Sequence, residues 1–380
     1  MPDSTTTSRP PARPWGARFV RQEWFLGVGG ASALTFLLVG DALLADLSQP
    51  LWLLLMFGWL FVAILGCALA VVRHADELAE HLGEPFGTLI LTLSVTAIEA
   101  VSISFVMIHG GEPTLVRDTI FAVLMLILNG LIGLSLLLGG WRHREQSYNC
   151  QGANAYLGVI IPLAMMSLIL PDYTITTPGP TLSFTQESVL ALLSLGLYGA
   201  FLVIQTGRHR GFFTAEPAEE AARGPPHGGA PSAWYSAPLL LCYLVPVVYL
   251  AERLATPLDY INRSWHAPVA LGGVIIAVLV ATPEAIGAVR AARANHLQRS
   301  VNILLGSVLS TIGLTVPTML LVSHFTGRQL LLGVEHTDFV LLLLTLLLSV
   351  VTFGSGRTNV LQGVVHLMLF VSYVLLIFQG

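Results

Sequence analysis

Residues 87–108 read GTLILTLSVTAIEAVSISFVMI, an apolar run with one charge, Glu99, near its middle. As a helix this run is roughly 33 Å long, enough to cross a bilayer core. Inside hydrocarbon every backbone N–H and C=O must be paired within its own segment, which makes a helix the form such a run takes. A charge at that depth costs about 2.5–3.5 kcal/mol even on lenient insertion scales. Residues 268–288 repeat the arrangement. Glu284 lies deep in that span, with Gly272 twelve residues before it, as Gly87 stands twelve residues before Glu99.

The rest of the chain has the same character. Of 380 residues, 54% are hydrophobic and 11% are charged, against about 25% charged in soluble domains. Mean hydropathy is +0.75. No charged stretch is long enough for a soluble enzyme domain held by one anchor. The composition also excludes a disordered chain, a nucleic-acid binder and a disulfide scaffold. All 18 basic residues are arginine. Cys67 and Cys242 fall in apolar spans and Cys150 in a loop, with neither pairing nor metal-ligand spacing.

Hydropathy gives eleven helices, at about 25–46, 51–72, 87–108, 118–140, 155–171, 187–206, 236–253, 268–288, 300–323, 337–354 and 359–378. With the N-terminus in the cytoplasm, 14 arginines fall inside and four (Arg117, Arg253, Arg263, Arg328) outside, a strong positive-inside bias. The C-terminus is then outside. The expected organisation is an N-terminal cytoplasmic tail (1–23), a lone first helix (24–50), a five-helix half (51–206), a Pro-, Gly- and Ala-rich cytoplasmic linker (207–235) and a second five-helix half (236–380).

Five helices is an odd number, so the second half must be inverted relative to the first, a plan common among secondary transporters. Position and sidedness agree. Glu99 and Glu284 each lie in the second helix of their half. Arg117 and Arg299 precede the third helix on opposite sides, and twelve residues on from them stand Asn129 and Thr311. The fold class expected is therefore an all-α membrane protein of eleven helices, a lone first helix plus two inverted five-helix repeats.

Thr88, Thr92, Thr96, Glu99 and Ser102 share one helical face, so a polar stripe leads to the carboxylate. Membrane serines and threonines also simply bond the i−4 carbonyl, which is the structural alternative for this stripe. Pro283 precedes Glu284 and removes an N–H, predicting a free carbonyl at Leu279 beside the carboxylate; a kink with no ligand role is the alternative. Thr282 is adjacent. Ser307, Thr311 and Thr315 recur at i, i+4 and i+8, with Ser310 beside them, and Asn129 sits in the fourth helix. Such oxygens complete a cage suited to hard cations. Asn302 is open between that cage and a helix cap. His366, inside the last helix, is either a proton relay or a partner in an interhelical hydrogen bond. The run from His74 through Asp76, Glu77, Glu80 and His81 to Glu84 reads as a solvated acidic loop or a cation-gathering one.

GTLILTLSVTAIEA (87–100) and ATPEAIGAVRAARANHLQRSVNILLGSVLSTIGLTVP (281–317) resemble the two signature repeats of the Ca²⁺/H⁺ exchanger (CAX) family of the calcium/cation antiporter superfamily, in particular its bacterial ChaA-like branch. The resemblance spans helices 2 to 11. It implies two inverted repeats with an ion site between helices 3, 4, 8 and 9. It implies that Glu99 and Glu284 are the essential carboxylates, with Asn129, Ser307 and Thr311 as polar partners. The family's frequent Gly-Asn-x-x-Glu is replaced here by Val95-Thr96-Ala97-Ile98-Glu99 and Val280-Ala281-Thr282-Pro283-Glu284, which leaves the ion open among Ca²⁺, Na⁺ and K⁺.

The reading that follows is secondary cation/H⁺ antiport by alternating access in a bacterial inner membrane. It needs no cofactor. Its partners are the lipid bilayer and inorganic cations, not nucleic acid, and a homo-oligomer stays open. An antiporter with Na⁺ or K⁺ in place of Ca²⁺ is one alternative. A cation channel is another, although no filter-like loop is visible. An intramembrane hydrolase would need a nucleophile beside His366, and none stands out.

Overall fold

The structure, a computed structural model, describes residues 23–82, 86–108, 113–214, 233–264 and 268–379. All but Glu23 of the tail expected over 1–23, the core of the expected linker (215–232) and Glu84 lie outside them. Among the described residues there are eleven long helices: α1 (Trp24–Leu44), α2 (Pro50–Leu82), α3 (Phe86–Ile108), α4 (Leu115–His143), α5 (Cys150–Tyr173), α6 (Phe184–Thr206), α7 (Ala233–Ser264), α8 (Val269–Arg293), α9 (Leu297–Thr326), α10 (His336–Phe353) and α11 (Val360–Ile377). Ten are long and apolar enough to cross a membrane, and α3 has 23 residues. This is the expected all-α membrane architecture.

Local signals set the helix ends. Ser183 with Gln186, and Asn359 with Gln362, form capping boxes at the starts of α6 and α11. Asn149 accepts from the backbone N–H of Gln151 and Gly152 and starts α5, so Cys150 opens a helix rather than lying in a loop. Gly327 closes α9 in the left-handed conformation, at φ +64°.

Two helices outrun their hydropathy limits. α2 continues through the acidic run expected as a loop, as far as Leu82. The reason is pairing. Glu23 accepts from Arg73 (2.5 Å) and from the Tyr243 hydroxyl (2.9 Å). His74, fully buried, lies 3.2 Å from Glu23 Oε2 and 3.1 Å from Glu77 Oε2, and Ser236 donates to the same Glu77 oxygen at 2.6 Å. Charged residues thus sit on a helix packed between α1 and α7, not on a solvated loop. The side chains of Asp76, Glu80 and His81 lie outside the described residues. α7 likewise passes Arg253, which pairs with Asp41 of α1 at 2.7 Å.

Loop pairings fix the parity of the crossings. A short strand after α4, β1 (Glu145–Ser147), pairs antiparallel with one after α10, β2 (Arg357–Asn359), with Gln146 opposite Thr358. Gln146 also donates to Ala292 O (2.8 Å) and Asn295 Oδ1 (2.9 Å), so three connections meet on one face. Six helices separate the strands, and an even number of crossings is what a shared face requires. On the opposite face Arg117 donates to Gly333 O (3.0 Å) and Leu331 N–H to Pro113 O (3.3 Å), again six helices apart.

The third helix of each half is central. In α4 and α9, 83% and 78% of the best apolar window is buried, against 22% or less in α1, α6 and α11, whose apolar faces are left for lipid. Both central helices contain a π-helical turn, Leu126–Leu131 in α4 and Thr311–Thr315 in α9, and α5 has a third at Met165–Ile169. Small residues let neighbours approach α4 closely. A Cβ on Gly363 of α11 would stand 2.6 Å from Leu137 N and 2.8 Å from Gly133 O of α4. The backbone offers no room there. Gly363→Ala is therefore expected to destabilise the protein by about 1–3 kcal/mol, read as a lower midpoint of thermal unfolding in detergent; an unchanged midpoint would contradict the close α4–α11 approach.

Candidate cation site

α3 and α8 each bring one carboxylate to α9. The Thr311 hydroxyl donates to Glu99 Oε2 at 2.9 Å, and the Ser307 hydroxyl donates to Glu284 Oε2. Ser307 and Thr311 are i, i+4 neighbours, so a single face of α9 holds both. The carboxylates lie within electrostatic range of each other. Glu99 is 2% exposed, whereas Glu284 is partly accessible.

The unmet hydrogen-bonding capacity is informative. Glu99 Oε1 and Ser102 Oγ, one turn along α3, are buried without a hydrogen-bond partner, and the Thr315 hydroxyl, one turn along α9, faces Glu99 without a well-formed hydrogen bond. Buried polar atoms are normally satisfied, and an orphaned carboxylate oxygen calls for a proton or a cation. The π turn that starts at Thr311 breaks the regular i−4 ladder beside these oxygens, an irregularity often found at functional sites. The donor set is carboxylate and hydroxyl oxygen, which suits hard cations rather than thiophilic metals. Among the described residues no group of three or more His, Cys, Asp or Glu side chains could hold a metal ion.

The other residues singled out in the sequence fall in different places. Thr96 is buried on α3 near Glu99. Ser310 turns back to Ser307 O at 2.9 Å. Thr282 donates to Val278 O at 2.5 Å, the i−4 backbone contact common to membrane threonines. α8 runs unbroken through Pro283. Asn302 is no cap, since α9 begins at Leu297; it donates to Phe213 O at 2.5 Å. The side chains of Thr88 and Thr92 lie outside the described residues.

Asn129 is not with the carboxylates. Its amide donates to the Thr345 hydroxyl at 2.7 Å, and its Oδ1 lies 3.2 Å from His366 Nδ1. His366 is fully buried, with Nε2 2.9 Å from the Thr352 hydroxyl. The histidine is thus in an interhelical hydrogen bond, and neither Glu99 nor Glu284 is among its described partners. This second polar group on α10 escaped the sequence reading. Its signal was present in Thr345, Ser349 and Thr352, polar at i, i+4 and i+7 in an otherwise apolar span.

Comparison with known proteins gives the lineage. Residues 52–207 and again 235–379 match the family described as sodium/calcium exchanger protein. The two matches each take in one five-helix half. The chain is 40% identical to the sodium-potassium/proton antiporter ChaA of Escherichia coli (strain K12) over 322 residues, 83% of this chain and 87% of that protein. It is 21% identical to the Ca²⁺/H⁺ antiporter ChaA of Bacillus subtilis (strain 168) over 305 residues, 80% of this chain and 86% of that one. Among solved structures it is similar in fold to native YfkE, with a TM-score of 0.72 at 18% identity over 94% of this chain and 100% of that one. It is also similar to the H⁺/Ca²⁺ exchanger CAX, with a TM-score of 0.69 at 15% identity over 94% of this chain and 89% of that one. The protein is a multi-pass membrane protein and belongs to the sodium/calcium exchanger family.

Proposed function

We propose that the protein is a cation/proton antiporter that moves Ca²⁺, with Na⁺ and K⁺ as further ions, against H⁺ by alternating access at Glu99 and Glu284. The observation that carries this reading is a pair of carboxylates held on one face of α9, Glu99 buried with one oxygen unsatisfied and Glu284 partly accessible. Ionised, the pair neutralises one divalent cation. Protonated, it is neutral without one. The empty, doubly charged pair is the costly state, because each uncompensated charge faces the membrane penalty. Only filled or protonated forms then change sides, so the two fluxes are linked. With a monovalent cation the same pair stays neutral if one carboxylate keeps its proton.

The family and the bacterial relatives support a bacterial inner membrane as the location. The arginine count supports a cytoplasmic N-terminus, and the face bearing Arg142, Arg144, Arg290 and Arg293 is then cytoplasmic. A monovalent preference is the second reading, favoured by the 40% identity to a protein named for sodium and potassium.

In acid-loaded proteoliposomes, adding a transported cation outside is expected to release protons from the wild type and from neither Glu99→Gln nor Glu284→Gln, followed with a pH-sensitive dye. Comparing Ca²⁺, Na⁺ and K⁺ in turn separates the two ion preferences. Exchange by either Gln variant at the wild-type rate would overturn the two-carboxylate reading, and cation flux that leaves the pH gradient untouched would favour a channel. Thr311→Val removes a donor from Glu99 and leaves the fold's apolar packing nearly isosteric. It is expected to raise the apparent KM for the cation about tenfold, measured in the same assay.

A further inference from the structure

Thr311 and Asn129 hold equivalent places in the two halves, each in a π turn and each twelve residues after an arginine, yet they behave differently. Thr311 is on a carboxylate, whereas Asn129 is turned toward α10 and α11. The Asn129 amide also donates to Met125 Sδ at 3.5 Å, and one backbone carbonyl orients its bonds to Thr345 and His366. The Thr345 hydroxyl donates to Leu341 O at 2.7 Å, with Met125 Sδ a longer second acceptor at 3.6 Å. Its oxygen is therefore the acceptor toward Asn129, which makes the Asn129 nitrogen the donor and turns Oδ1 toward His366. His366 then carries its proton on Nδ1, which the Leu128 backbone faces as well as Asn129 Oδ1, and Nε2 accepts from the Thr352 hydroxyl. Both ends of the Asn129 amide are occupied, and neither faces a carboxylate.

The seam that does this is a tight one. Asn129, Thr345, Thr352 and His366 are all fully buried. The close backbone approach of Gly133 and Gly363 lies about one turn from Asn129 and His366. Meanwhile Glu284, the carboxylate that repeat symmetry assigns to Asn129, takes its hydroxyl from its own half, from Ser307, whereas Thr311 reaches across the halves to Glu99. We propose that Thr345 and His366 are positioning residues that hold the Asn129 amide away from the cation site in this conformation and release it toward Glu284 when the two halves exchange roles. The inference rests on the carboxylate reading above and adds to it a holding place for one ligand.

The test is a double-mutant cycle on transport kinetics with Glu99 and Glu284 left intact. Thr345→Val and His366→Leu free the amide. Each is expected to lower the apparent KM for the cation roughly fivefold and to slow turnover, because the extra ligand stays engaged. His366→Asn restores a donor near the Nδ1 position and is expected to return both constants to the wild type. In an Asn129→Ala background, Thr345→Val and His366→Leu are expected to change neither KM nor turnover further. The proposal is overturned if the substitutions act equally with and without Asn129, or if they lower thermal stability and activity while KM stays at the wild-type value. Loss of exchange in Glu99→Gln together with no coupling in this cycle would leave the carboxylate reading standing and remove this one.

Discussion

A carboxylate buried in a membrane protein cannot stand ionised and alone, and the arrangement of α3, α8 and α9 follows from that cost. Glu99 and Glu284 come from different halves of the chain, and α9 supplies one hydroxyl to each. These contacts meet only part of the need. Glu99 Oε1 and the Ser102 hydroxyl remain unpaired and buried, and the Thr315 hydroxyl faces Glu99 without a well-formed hydrogen bond. A site that is electrically unsatisfied when empty accepts either protons or a cation, and it penalises having neither. Under the proposed mechanism, linked exchange needs no further device than that penalty and a fold that opens to each side in turn.

The fold meets the second requirement by repetition. Six crossings separate β1 from β2 and six separate Arg117 from Gly333, so each face is tied to itself across the two halves. The buried α4 and α9 cross between these faces, each with a π turn at the equivalent place. Symmetry in backbone is not matched in side-chain contacts. α9 engages both carboxylates, while the polar group of α4 engages α10 and α11. One sequence with two equivalent halves adopts one asymmetric conformation, and under the proposed mechanism exchange of the two roles yields the other.

Much of this was legible in the amino-acid sequence because a bilayer simplifies the code. Apolar runs of span length are helices, and a charge within one is a site. Glu99, Glu284, Ser307 and Thr311 could be named from those two rules and their spacing. Side-chain direction was not legible. Asn129 has the right place in the repeat, but only the Thr345 hydroxyl, already committed to Leu341 O, shows which way its amide turns. Helix ends past the apolar limit were missed for a similar reason. Hydropathy reads Arg73, His74 and Glu77 as solvated, whereas Glu23 and Tyr243, distant in sequence, pair with them and carry α2 on to Leu82. Close approach was not legible either: a Cβ on Gly273 would stand 2.8 Å from the α4 backbone at Asp118. The π turns and the β1–β2 pair leave no periodic trace in sequence.

Competition between protons and a cation for the same oxygens is the claim on which the mechanism stands, and it can be measured without transport. Purified protein in weakly buffered detergent solution would be titrated with Ca²⁺ and with Na⁺ while released protons are counted with an indicator dye. Shared carboxylates predict proton release on cation binding, up to two per divalent ion, and a cation affinity that rises with pH as the site deprotonates. Cation binding that releases no protons and keeps the same affinity across pH would contradict a shared site.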